Sequence, residues 1–193
     1  MLTLGPVDPL PLRPRRVTVA GTPGSGKTTL ARRIARVLDL PHTEIDGLYH
    51  GPGWEPRESF AEDVRALVAQ DAWVTEWQYT VARPLLLERA DVLVWLDLPV
   101  ATVMRQVLGR TVRRGVRRET LWNGNVEPPL WTLVRRGDQN ILDWAWTTRH
   151  KLAGLDRRLE VEAPHLVLVR LRSRAEVESW VRRVSEDLGR DRP

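Results

Sequence analysis

The run Gly21-Thr22-Pro23-Gly24-Ser25-Gly26-Lys27-Thr28 has the residue types and spacing of a phosphate cradle, G-x-x-x-x-G-K-[ST]. Its glycines let the backbone curl until successive N–H groups point at one phosphate. The helix that follows adds its unpaired N–H groups and the positive end of its dipole, and Thr29 extends the set into the first helical turn. Lys27 sharpens the assignment. Of 30 basic residues only Lys27 and Lys151 are lysines. A compact ammonium on a thin stem reaches between β- and γ-phosphates, where a planar guanidinium fits less well. Thr28 supplies the hydroxyl that ligates Mg²⁺ in such sites. The pattern implies binding of a nucleoside triphosphate.

Phosphoryl transfer needs further groups, and in an open parallel sheet these stand beyond the carboxyl ends of the strands. Glu44-Ile45-Asp46-Gly47 closes the second expected strand, where alternation puts Glu44 and Asp46 on one face. Two carboxylates there orient the water shell of Mg²⁺ and take a proton from an acceptor hydroxyl, a role that falls to Asp46. Glu76 closes the third strand and Asp97 the fourth. Glu76 is the first choice to hold a metal-bound water and Asp97 the reserve. His50, Trp54 and Arg57 follow the second strand's turn; Trp54 offers a stacking surface and Arg57 an anion clamp for the acceptor. Between Arg105 and Arg118 stand six arginines and no acidic residue. Arg105, Arg110, Arg113 and Arg114 are the candidates to neutralise charge on the transferring group, with Arg110 and Arg114 foremost. His150 and His165 make no metal-ligand pattern.

Apolar strand patterns recur at 16–20, 43–46, 72–76, 91–97 and 165–170, with helical stripes between most of them, such as Phe60, Val64, Leu67 and Val68. Alternating strands and helices predict a parallel sheet with right-handed crossovers, hence one three-layer α/β domain over 15–193. A mostly helical insert at about 105–150 reads as an arginine-rich lid. The first 14 residues hold four prolines and read as a loose arm. With no cysteine, the 193-residue chain has neither a disulfide framework nor a thiolate metal site. No apolar run approaches the ~20 residues of a membrane span, so no membrane partner and a cytoplasmic location are expected. The net charge of +5 suits anionic nucleotides, and nucleic acid is a less favoured partner.

With these residues in view, the chain resembles P-loop kinases of the nucleoside monophosphate kinase type, most nearly the bacterial adenylate-kinase-like group called DNA topology modulation proteins. The likeness covers roughly 16–187. It rests on Gly21 to Thr28, Ile45-Asp46-Gly47-Leu48-Tyr49, Pro52-Gly53-Trp54, Trp73-Val74-Thr75-Glu76, Asp91 to Pro99, Arg110 with Arg113 and Arg114, and Val169-Arg170-Leu171-Arg172-Ser173. It implies a P-loop NTPase fold with a five-stranded parallel sheet of order 2-3-1-4-5, a lid after strand four, ATP with Mg²⁺ as donor, and an adenine near Arg172. The Glu44-x-Asp46 pair is similar to the Asp-x-Asp of shikimate- and gluconate-type kinases, whose second acid contacts the acceptor hydroxyl. Where the group has Asp-Gly-Asn-Tyr, this chain has Glu76-Trp77-Gln78-Tyr79, and bulky Trp77 would obstruct an adenylate-type acceptor. The resulting expectation is an ATP-dependent phosphotransferase acting on a nucleotide or hydroxyl metabolite. Two alternatives stay open: a regulatory nucleotide-binding protein associated with DNA, and a polynucleotide 5′-hydroxyl kinase.

Overall fold

Runs of apolar and β-branched residues become strands covered on both faces. In the computed structural model, which describes residues 1–11, 13–106, 109 and 152–190, five strands form one parallel sheet: β1 (Leu2–Leu4), β2 (Arg16–Gly21), β3 (Trp73–Glu76), β4 (Val92–Leu96) and β5 (Val167–Leu171), in the order β1-β5-β4-β2-β3. Along β4, Val92, Val94 and Leu96 face one helical layer while Leu93 and Trp95 face the other. All five are buried, which is why the run is continuously apolar rather than alternating. One layer is α1 (Lys27–Leu38) with the C-terminal helix; the other holds α2 (Ile45–Tyr49), α3 (Phe60–Val68) and α4 (Ala82–Arg89). Residues 100–106 begin a further helix, α5. Then come α6 (Leu155–Glu162) and α7 (Arg174–Arg190). Ser173 and Glu176 cap the start of α7: Ser173 Oγ accepts from Glu176 N (3.1 Å), and Glu176 Oε2 accepts from Arg172 N (2.7 Å), one residue before the N-cap.

Two elements differ from the sequence expectation. The second expected strand, 43–46, is reduced to a single parallel bridge, His42 with Val74, on the far side of β3 where the predicted order puts it. Beyond that bridge the Glu76 carboxylate captures the amide of Ile45 (3.0 Å), so the chain turns into α2 instead of extending the ladder. The fifth strand is β1 instead. The segment expected as a loose arm pairs Leu2, Thr3 and Leu4 with Val167, Leu168 and Val169. Leu4 is buried in the core shared by α1 and α7, and burying that side chain outweighs the turn-forming character of the prolines that follow.

Asp91 locks the entry to two strands. Its Oδ2 accepts from the backbone N–H groups of Arg15 and Arg16 (2.9 Å each), and its Oδ1 from Arg16 Nη2 (2.6 Å). Burial pushes its carboxyl up, but the Arg16 guanidinium and the two amides outweigh this and hold it below the usual carboxylate range. Asp91→Asn is therefore expected to cost about 1–2 kcal/mol of stability at pH 7. A carboxyl whose pKa is lowered by folding stabilises above about pH 4, the unfolded value, and the contribution fades as pH falls through the lowered one. Urea unfolding of both proteins at pH 7 and pH 3 checks this: the gap between them should narrow in acid.

Candidate active site

The end of β2 and the start of α1 hold the cradle in shape. Gly21 has no room for a side chain, because a Cβ there would stand 2.4 Å from Ser25 Oγ. Gly24 and Gly26 have φ of 81° and 96°, the left-handed region that favours glycine. Ser25 N donates to Thr22 O (3.0 Å), closing the turn, and Leu30 N donates to Gly26 O (2.9 Å), opening the helix. No acidic residue lies in the first turn of α1 to compensate its positive end. Lys27 folds back over the loop, with Nζ 3.4 Å from Thr22 O. Pro23 and Thr29 are exposed at the rim.

The Thr28 hydroxyl is among the groups that face the Glu76 carboxylate. Glu76 is 2 % exposed, at the end of β3 and level with Val19 of β2. Burial pushes its carboxyl up. The His42 imidazole, the Ile45 amide and the Thr28 hydroxyl more than offset that push and keep it ionised, below the usual range. One of its oxygens, Oε2, accepts from Ile45 N, while Oε1 has no hydrogen-bond partner within bonding distance among the described residues and stands 3.6 Å from His42 Nε2. A buried, ionised carboxylate with an unsatisfied oxygen beside a threonine hydroxyl fits a hydrated divalent cation. No group of three or more acidic, histidine or cysteine side chains suited to a metal occurs among the described residues. The fit is thus to one hydroxyl plus water, not to an all-protein cage.

Asp46, in the first turn of α2, is held from the segment after β3. Its Oδ1 accepts from Gln78 Nε2 (2.7 Å) and from the Tyr79 hydroxyl (2.6 Å), and that hydroxyl lies 3.3 Å from His50 Nε2. Tyr79 has φ of 59°, a conformation its side chain resists, and it stacks on Tyr49 with ring centres 4.0 Å apart. Burial first, then the Asp46 carboxylate, push the Tyr79 phenol far up, so it stays protonated and donates to Asp46. From sequence, Gln78 and Tyr79 enter only as part of the segment after the third strand, with no role assigned to either. Their 32- and 33-residue separations from Asp46 leave no periodic signal.

Other expected site residues take different places. Glu44 does not share a strand face with Asp46; it is the N-cap of α2 and pairs with Arg32. Asp97, the reserve metal acid, is engaged by Arg170 (2.9 Å to Nε, 2.7 Å to Nη2). Arg170 also reaches Asp156 (3.3 Å) and lies 4.3 Å over the Trp95 ring. This ion pair borders a cleft of about 250 Å³ that runs from Thr22 past Trp95, Leu98 and Val103 to Leu152. Arg57 pairs with Asp63 (3.1 Å), and Trp54 stands edge-on to His50, ring centres 5.3 Å apart. Arg172 and Arg105 are exposed; Arg110, Arg113 and Arg114 lie outside the described residues. Trp77 does not face an acceptor site. It is buried in the core among α3, α4 and α6, with Nε1 donating to Arg83 O (3.3 Å) and the Arg83 guanidinium 4.6 Å over its ring. The bulk expected to obstruct an adenylate-type acceptor is thus turned into the core.

The sequence matches no protein-family model and none of the curated proteins. Among solved structures, the chain is similar to a shikimate kinase from Bacteroides thetaiotaomicron, with 18 % identity over 91 % of this chain and 99 % of that one and a TM-score of 0.55. It is similar to a shikimate kinase from Acinetobacter baumannii in complex with shikimate, at 15 % identity, coverage of 93 % and 96 %, and a TM-score of 0.53. A gluconokinase from Sinorhizobium meliloti 1021 follows at 19 % identity, 93 % and 98 % coverage and a TM-score of 0.50. The fold is the parallel α/β P-loop fold of these kinases. No helix among the described residues is long and apolar enough to cross a membrane.

Proposed function

We propose that the chain is an ATP-dependent kinase that moves the γ-phosphoryl group of ATP to a hydroxyl of a small molecule. The observation that carries this reading is the convergence on one strand-end edge of the P-loop, the Thr28–Glu76 pair, and a carboxylate, Asp46, held by two donors. The likeness in fold to two kinds of kinase that phosphorylate small hydroxylated acids supports it.

In this reading the amides of 24–28 and Lys27 receive the β- and γ-phosphates, and the adenine lies toward Arg172. Thr28, with Glu76 through water, would hold Mg²⁺, which when bound neutralises phosphate charge. Asp46 orients the acceptor hydroxyl and takes its proton at the carboxylate. Gln78 and Tyr79, both donors to one oxygen, leave the other for that task. Trp54 and Arg57 rim the acceptor side, and Arg110 and Arg114 complete the charge balance. Catalysis is then mostly positioning and electrostatic stabilisation.

The acceptor in this reading is a hydroxylated metabolite; the sequence resemblance to the adenylate-kinase-like group favours instead a nucleoside monophosphate, which would take the phosphoryl group on a phosphate oxygen and not on a hydroxyl. ADP release from ATP and Mg²⁺ across both classes, with an oligonucleotide included, is the test. Stimulation by one class is expected. Absence of stimulation by any, with ATP still bound, would reject the kinase in favour of a regulatory nucleotide-binding protein.

A further inference from the structure

Gln106, in α5, touches the cradle from behind. With its amide oriented to satisfy both ends, Nε2 donates to Gly24 O (3.1 Å) and Ser25 O (3.2 Å). Oε1 accepts from Arg174 Nε (3.1 Å) and Nη2 (3.3 Å). The reverse orientation would set an amide oxygen against two carbonyls and an amide N–H₂ against a guanidinium, so Arg174 decides which way the amide faces. A carbonyl and the next residue's N–H are opposite ends of one planar trans peptide, and the chain has no cis peptide bond among its described residues. Holding the Ser25 carbonyl toward Gln106 therefore aims the Gly26 N–H the other way. The Gly24–Ser25 peptide is pinned at both ends, since Ser25 N already donates to Thr22 O. Gly26 has no side chain of its own to hold it at φ 96°, and the nearest atom to its missing Cβ, at 3.7 Å, belongs to the Gln106 amide and is Nε2 in this orientation.

We infer that Gln106, oriented by Arg174, is a positioning residue for nucleotide binding, acting through the Gly24 and Ser25 peptide groups. It sets the direction of the Gly26 amide before a phosphate arrives, so less ordering of the loop is left to the binding step. This rests on the nucleotide-binding part of the proposed function. Gln106 need not contact the nucleotide itself.

The test is calorimetric binding of ADP with Mg²⁺ to the full chain, together with the Gly26 amide resonance in a ¹H–¹⁵N spectrum. Gln106→Met keeps length and volume but loses both donors. Gln106→Glu keeps the contact with Arg174 while turning a negative charge on two carbonyls. Each is expected to raise the Kd for ADP about tenfold or more, with an unchanged thermal midpoint and a smaller ADP-induced shift of the Gly26 resonance. Arg174→Leu, which frees the amide to rotate, is expected to weaken binding several-fold and gives a second route should a Gln106 variant fold poorly. A residue that merely packs would leave the Gly26 shift unaltered. ADP binding by Gln106→Met within twofold of the parent, with the same Gly26 shift, would overturn the inference. Absence of ADP binding by the parent chain itself would instead remove the nucleotide reading beneath it, and the inference with it.

Discussion

Lys27→Ala is expected to reduce ATP-dependent turnover by roughly 10²- to 10³-fold, the scale seen when one preorganised donor to developing charge is removed. Lys27 sits at the start of α1 with its ammonium drawn back to the Thr22 carbonyl (3.4 Å), poised above the cradle formed by residues 21–28. Its stem is only half-buried, and the core of α1 is made by Leu30, Ala31, Ile34, Ala35 and Leu38. Truncation should therefore leave the fold intact, which circular dichroism and thermal unfolding can verify. Lys27→Arg should rescue little, because a guanidinium presents a planar fork where a point charge is needed. In a chain with 30 basic residues and only two lysines, that failure would be informative: arginine is the residue this sequence uses almost everywhere else. Turnover of Lys27→Ala equal to the parent would refute phosphoryl transfer at this loop.

Asp46→Asn is expected to lower kcat by roughly 10²- to 10⁴-fold, the range for loss of a positioned general base, with ATP affinity unaltered. The substitution is chosen because asparagine keeps an oxygen able to accept from the Tyr79 hydroxyl (2.6 Å) and Gln78 (2.7 Å), so α2 and its contacts remain. Only the negative charge and its proton-accepting capacity are lost. Steady-state kinetics with the best acceptor from the panel, alongside direct ATP binding, separates the two effects. Tyr79→Phe should have a smaller consequence, about tenfold in kcat, because it removes one of two donors and leaves the carboxylate in place. A normal kcat for Asp46→Asn would move the catalytic base elsewhere.

Asp46 also marks the boundary between what was legible in the sequence and what was not. Its position after an apolar segment and before Gly47 identified it as a strand-end acid, yet the strand it was expected to close is a single bridge followed by α2. The side chain nonetheless reaches the same edge of the sheet, because Glu76 binds the Ile45 amide and turns the chain there. Glu44 and Asp97 have the same residue type and similar sequence settings, but Arg32 and Arg170 engage them. Distinguishing these acids required knowing which cations the fold would bring alongside.

The sequence by itself determined the P-loop, the α1 that follows it, and the alternation of buried strands with helices. These follow from patterns within a few residues: glycines at positive φ, a helix N-terminus without acids, continuous apolar runs. Tertiary structure alone decided that Leu2–Leu4 would form the sheet's edge, that Trp77 would turn into the core, that Tyr79 would hold Asp46, and that Gln106 would meet the back of the cradle. Each of those pairs residues far apart in the chain. Their meeting follows from strand order and helix packing rather than from any local pattern, and hydrogen-bond geometry at 2.6–3.3 Å is too fine for periodicity to encode.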